Sequence, residues 1–180
     1  SYLAGGRGLE HGDVAPPPHD PMTLPPIDDL LRGYEDVVPH FANALRPIEW
    51  RYTNDPAWVM RDKGERLAHN RVWMKAQGVM PDDPVLHGAA LVYSSDTTVL
   101  DSIITTHGLS WGFDRIFAAT INHSVWFHRQ VAFSDWVLYS TASPVAAESR
   151  GLAMGHFFNP AGEVVATVAQ EGIVKYFPGK

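Results

Sequence analysis

The chain has 180 residues, 45% of them apolar, with 14 basic and 20 acidic side chains, a formal net charge of -6 and no cysteine. That length supports one compact domain, the acidic balance without a basic run excludes tracking of a phosphate backbone or an anionic lipid surface, and the lack of thiols excludes disulfide scaffolds, thiolate metal sites and cysteine nucleophiles. No window approaches the ~20 consecutive apolar residues of a membrane span and the opening SYLAGGRGLEHGD has no secretion-signal pattern, so the expectation is a soluble, cytoplasmic protein with neither nucleic acid nor membrane as partner.

Residues 1–26 combine Gly5, Gly6, Gly8 and Gly12 with Pro16, Pro17, Pro18, Pro21, Pro25 and Pro26, a composition that cannot sustain a helix and reads as a linker. From Ile27 to Leu45, Ile27, Leu30, Leu31, Tyr34, Val37 and Val38 recur at helical spacing, with Gly33 and Pro39 keeping the helix short. Ile48 to Tyr52 and Arg71 to Ala76 read as strands. Asn54-Asp55-Pro56 and Lys63-Gly64-Glu65 punctuate the loop between them. Asp83-Pro84 is helix-start chemistry, a capping carboxylate before a first-turn proline, and predicts a helix over 83–106 closed by Gly108. Four strands follow, 118–129, 135–143, 151–158 and 163–176, the last two joined by an Asn159-Pro160-Ala161-Gly162 turn. Two strands, one long helix and four strands predict an α+β domain in which an antiparallel sheet packs on one dominant helix.

Two polar residues interrupt apolar patterns. On a helical wheel with Leu86 at zero, Val85, Ala89, Val92, Tyr93, Val99, Leu100, Ile103 and Ile104 fill an arc from roughly 220° to 360°, and Asp96 falls inside it at about 280°. Ser94, Ser95, Thr98, Asp101 and Ser102 fall outside, on the side read as solvated or edge-facing. The wheel therefore aims Asp96 at the sheet, where it must be hydrogen-bonded, hydrated or protonated; it is a general base, a satisfied core carboxylate, or the mark of a helix whose true phase differs from the wheel. In the last strand Val164, Ala166, Val168, Gln170, Gly172 and Val174 share one face by alternation, with Gln170 the polar member. Its amide can fix a water or a carbonyl, or simply satisfy backbone groups, and Gly172 leaves space for a ligand. Glu171 falls on the opposite face.

The nine histidines form no metal motif. His123 and His128, five apart, point to opposite faces of a strand. Ser94, Ser95 and Ser124 lack a nucleophile-elbow context, and no glycine-rich loop opens a helix. Neither a metal nor another cofactor is expected.

The stretches AATINHSVWFHR at 118–129, DWVLYSTASPVAAESRG at 135–151 and GEVVATVAQEGIVK at 162–175, with ALVYSSDTTVLDS at 90–102 and PIEWR at 47–51, closely resemble the C-terminal half of acyl-CoA thioesterase II. The resemblance implies a hotdog fold, an antiparallel sheet wrapped around one long central helix, and the second of two tandem hotdogs. GLEHGDVAPPP is similar to the end of the first hotdog running into a linker. The implied organisation is thus 1–26 as linker and remnant of a preceding domain and 27–180 as hotdog thioesterase domain.

The resemblance further implies hydrolysis of acyl-CoA to fatty acid and CoA by a water held and activated by Asp96, Thr120 and Gln170. Thr120 rests on the resemblance alone, since alternation groups it with Asn122, Ser124 and Trp126. Pairing with another hotdog domain, for instance as a homo-oligomer, is expected of such a fold. Arg129, Arg150 and Lys175 are basic groups available to CoA phosphates, though no pattern singles them out. The alternative is a hotdog module that binds acyl-CoA or assembles with partners without hydrolysis. Hydration of an enoyl thioester needs an Asp/His pair, and His87 faces away from Asp96 on the wheel.

Overall fold

A computed structural model describes residues 8–17, 19–38, 46–58, 66–112 and 114–178. Six strands, β1 (Ile48–Tyr52), β2 (His69–Ala76), β3 (Arg115–Phe127), β4 (Val137–Ala147), β5 (Arg150–Phe158) and β6 (Val164–Phe177), form one sheet in the order β1-β2-β4-β5-β6-β3. Every neighbouring pair is antiparallel. The predicted strands are all present, with ends shifted by a few residues. Gly162, at φ 80°, closes the β5–β6 turn by donating its amide to Asn159 O over 2.9 Å.

The predicted span 83–106 is helical in two segments, α2 (Pro84–Thr97) and α3 (Asp101–Thr106). Asp83 caps α2 by accepting the Val85 amide at 2.8 Å. The β-branched run Thr97-Thr98-Val99, poor in helix propensity, coincides with the break at 98–100. The 27–45 span holds a single turn, α1 (Ile27–Leu30), followed by turns to Val38; its remainder, and Lys63-Gly64-Glu65, lie outside the described residues.

One face of the sheet carries the main core. Cross-strand register aligns Tyr52, Val72, Tyr139, Phe157 and Ala166 in one inward row, with the Tyr139 and Phe157 rings stacked at 4.0 Å. The helices pack on this face, and two glycines admit α3. A Cβ at Gly151 would stand 2.6 Å from Ile103 Cδ1, and one at Gly172 would meet Leu100 at 3.1 Å. The space at Gly172 therefore belongs to Leu100 as well as to any ligand. On the opposite face Trp73, Leu138, Phe158 and Val164 form a second cluster covered by Ala15, Leu24 and Trp136. A register shift near Phe158 makes Val165 the extra residue of β6. It turns Val164 to this outer face, away from the row that alternation gave it.

The sheet-facing side of α2 differs from the wheel's expectation. Its buried residues are His87, Leu91, Ser94 and Ser95, whereas Val85, Val92 and Tyr93 are exposed. The helix is apolar over much of its circumference, so hydrophobic spacing alone does not fix its phase. Small serines let it approach the sheet, and their hydroxyls are satisfied at 2.8 Å on Ala90 O and 2.7 Å on Val92 O.

Candidate active site

Asp96 ends up in the last turn of α2 on its exposed side, reaching the edge strand β3 instead of the centre of the sheet. Thr120 donates from Oγ1 to Asp96 Oδ1 over 3.2 Å. Gln170, fully buried on β6, donates from Nε2 to Thr120 Oγ1 over 2.9 Å. The three candidate residues are thus brought together, in one directed chain that ends on the carboxylate.

Strand irregularity makes this possible. Thr120 pairs with Gly172, Asn122 with Glu171 and His123 with Gln170, so Ile121 is an extra residue, a β-bulge. The bulge breaks simple alternation, putting Thr120 and His123 on the inner face and Asn122 on the outer one. The sequence-based grouping of Thr120 with Asn122 fails here. Asn122 instead donates to Glu171 Oε2 at 3.0 Å, on the face where Glu171 was expected.

A fourth residue joins the chain. His123 Nδ1 hydrogen-bonds Gln170 Oε1, and its Nε2 lies 2.7 Å from Ser95 Oγ. With the Gln170 nitrogen committed to Thr120, its oxygen accepts, which places the hydrogen on His123 Nδ1. Histidine spacing, which tests His123 only as a metal ligand, does not reveal this role. No sequence signal marks it, because the bulge at Ile121 sets the register that puts His123 opposite Gln170. His128 points elsewhere, bonding Thr167 Oγ1 at 2.8 Å. His87 is buried against the Phe133 amide, which donates to its Nδ1 over 3.0 Å.

A cavity of about 310 Å³ opens beside this chain, lined by Asp96, Thr120 and Gln170 together with Leu100, Ala118 and Tyr52. Asp101, which the wheel puts on the solvated or edge-facing side, is buried in the same wall. Trp111 Nε1 donates to its Oδ1 over 2.7 Å. Burial pushes its carboxyl from the ordinary 3.8 up to about 7, with the indole hydrogen bond opposing. Tyr139, whose hydroxyl donates to Ser95 O over 3.0 Å, is held well above the ordinary phenol range by burial and then by the charge of Asp96.

Of the basic groups, Arg129 donates to Val164 O at 3.1 Å and lies 3.6 Å from Glu163. Arg150 lies 3.9 Å from Glu171. Among the described residues no three His, Asp or Glu side chains converge as metal ligands, and no helix is long and apolar enough to cross a membrane.

The sequence profile of the acyl-CoA thioesterase family matches residues 41–173. The chain belongs to the acyl-CoA thioesterase family. It is 30% identical over 183 residues to acyl-CoA thioesterase 2 of Haemophilus influenzae, a match covering 98% of this chain and 62% of that protein. The crystal structure of acyl-CoA thioesterase II TesB2 from Mycobacterium marinum is similar with a TM-score of 0.71 at 31% identity, over 98% of this chain and 61% of that one. A hot dog fold protein from Alicyclobacillus acidocaldarius matches with a TM-score of 0.67 at 16% identity, over 97% of this chain and 59% of that one, a likeness of fold. The family's architecture is thus the hotdog, in which β3 is an edge strand and α2–α3 the central helical span. The chain spans about three fifths of the length of these relatives.

Proposed function

We propose that this chain hydrolyses acyl-CoA thioesters to free fatty acid and CoA, using a water activated by Asp96, Thr120 and Gln170. The observation that carries the reading is the directed hydrogen-bond chain from Gln170 through Thr120 to Asp96 in the wall of a cavity. A thioester carbonyl is electrophilic enough for a positioned water to attack without a covalent acyl-enzyme. Asp96, a solvent-exposed carboxylate, accepts the water's proton as the new C–O bond forms. The Thr120 hydroxyl and the Gln170 amide fix the water's place. The tetrahedral intermediate then collapses, the C–S bond breaks, and the CoA sulfur takes the proton back from Asp96. The carboxylate is regenerated, and the acid and the thiol leave.

In this reading residues 27–180 are the catalytic hotdog and residues 1–26 a linker from a preceding domain, in keeping with relatives that are longer than this chain. The domain works against a second hotdog, either another copy or a domain of the same protein. Support comes from the edge position of β3 and from apolar side chains exposed on it and on α2, with Tyr93 57% and Trp126 52% exposed. Asp96 lies on that same uncovered side of α2, so a partner domain there would screen the reacting water from bulk solvent.

The test is release of CoA thiol from medium- and long-chain acyl-CoA by this chain and by Asp96→Asn. With no cysteine in the sequence, a thiol reagent meets no protein background. Turnover that falls about 100- to 10,000-fold in the variant supports the reading. Binding of acyl-CoA without turnover, even after addition of a second hotdog domain, would assign the chain to the non-hydrolytic class instead.

A further inference from the structure

The last turn of α2 carries Asp96, and helix geometry leaves the carbonyls of that turn without intrahelical partners. Two of them are met by hydroxyls. Thr97 Oγ1 donates to Ser94 O over 2.7 Å, and the Tyr139 hydroxyl on β4 donates to Ser95 O over 3.0 Å. Just past the helix, Asn70 on β2 gives its side-chain amide to Thr98 O over 3.4 Å. Ser95, the residue before Asp96, is held at both of its polar ends, since its Oγ lies 2.7 Å from His123 Nε2 on β3. The segment that carries the carboxylate is thereby tied to three strands of the sheet.

Of these ties, the Tyr139 hydroxyl is one that core packing alone does not account for. The residue is fully buried and its ring stacks on Phe157 at 4.0 Å, a contact that phenylalanine would make equally well. A Cβ at Gly155 would stand 2.7 Å from Tyr139 Cε2, so β5 is cut back where the ring is seated. Burying a hydroxyl costs free energy unless it finds a partner, and the partner here is a carbonyl that the helix end leaves unpaired. Burial, and then the charge of Asp96, hold this phenol well above its ordinary range, so it stays a donor throughout neutral pH.

Resting on the hydrolase reading of the site, we propose that Tyr139 is a positioning residue for that reaction: by anchoring Ser95 O it fixes the last turn of α2 and so sets the Asp96 carboxylate against Thr120. Asp96 is exposed, with little packing of its own, and the backbone beneath it decides where its oxygens stand. Without the Tyr139 hydroxyl, Ser95 O becomes a buried acceptor lacking its donor, and the turn is free to shift toward another. A displacement on the order of 1 Å at a reacting group costs about 100-fold in rate.

The test is Tyr139→Phe, which deletes one oxygen and keeps the stack. Thiol release from decanoyl-CoA is expected to fall about 10- to 100-fold in kcat, with KM within about twofold. Two comparisons separate positioning from plain loss of stability. Leu138→Val, which trims the outer-face cluster from the same strand, is expected to lower the melting temperature and keep kcat. In an Asp96→Asn background, Tyr139→Phe is expected to add little further loss, because the carboxylate it places is gone. An unchanged kcat in Tyr139→Phe, an equal loss in Leu138→Val, or a full multiplicative loss on top of Asp96→Asn overturns the proposal. Amide exchange followed by NMR needs no turnover: the Asp96 and Thr97 amides are expected to exchange about five- to tenfold faster in Tyr139→Phe, while that of Leu91 keeps its rate. Turnover that Tyr139→Phe leaves untouched removes this inference and keeps the hydrolase. No turnover by the unaltered chain, even with a second hotdog domain added, removes the hydrolase; faster exchange then keeps the anchor, and unchanged exchange removes it too.

Discussion

Gln170 ties His123 to Thr120: its Oε1 receives His123 Nδ1 while its Nε2 donates to Thr120 Oγ1 over 2.9 Å. A primary amide presents two nearly isosteric ends, and only its partners decide which end faces the hydroxyl. In the proposed reaction His123 is thus a positioning residue, acting through the orientation of Gln170.

His123→Leu is expected to lower kcat about 100-fold with little change in KM, since misplacement of a positioned group costs on that order. His123→Asn, whose amide nitrogen can stand near the lost Nδ1, is expected to recover much of the loss. Steady-state kinetics on one acyl-CoA decides the matter. Equal losses in both variants, or a rise in KM alone, would reduce His123 to a space-filling role.

The buried Asp101 makes stability depend on pH. Unfolded, this carboxyl loses its proton near its ordinary 3.8, and folded, near 7. Between those values the folded chain binds the extra proton, so this group's contribution to stability is greatest at the acid end and falls as pH rises through 4 to 7. The decline amounts to a few kcal/mol at most. Melting temperatures of Asp101→Asn are expected to be flatter over that window than those of the parent, Asn keeping an oxygen for Trp111. Parallel curves for the two proteins would show that Asp101 is ionised in the fold.

Much of this architecture is legible in the chain, for a physical reason that also explains the failures. Strand alternation reports burial on two faces, and Gln170 stands out because it sits among Val168, Ala166 and Val174 in a row that is otherwise apolar. The phase of α2 is not legible in the same way. Ser94 and Ser95 line the side against the sheet, satisfied by the helix's own carbonyls, while Val92 and Tyr93 face outward. Asp96 was therefore singled out by a wheel that aimed it inward, and the structure sets it at Thr120 on the edge strand. Thr120 and His123 were hidden for a different reason, since the bulge at Ile121 leaves no local mark in composition.

The close approach of α3 to the sheet can be tested as a pair. Gly151→Ala puts a Cβ 2.6 Å from Ile103 Cδ1, an overpacking expected to cost about 1–3 kcal/mol. Ile103→Val deletes that methyl carbon at about 0.5–1.5 kcal/mol. The double variant is expected to be less destabilised than the sum of the two, by at least about 0.5 kcal/mol in a urea or thermal cycle. Strict additivity would mean that the backbone at Gly151 moves away instead.

Association is expected to run through β3 and the outward side of α2. Tyr93→Arg places a charge among the exposed Val85, Leu86 and Val92 side chains, and sedimentation should show it shifting the chain toward smaller species at the same concentration. An unchanged distribution would move the contact surface elsewhere on the molecule.

The extra residue in β3 has a consequence for the reading frame of the strand. Deleting a residue from a regular strand inverts every side chain beyond the cut. Deleting Ile121 does the opposite, because Thr120 already opposes Gly172 and Asn122 already opposes Glu171; closing the gap leaves both neighbours with the partners they have. Of the positions along β3, this is where the chain can be shortened by one residue while Thr120 and His123 keep facing Gln170.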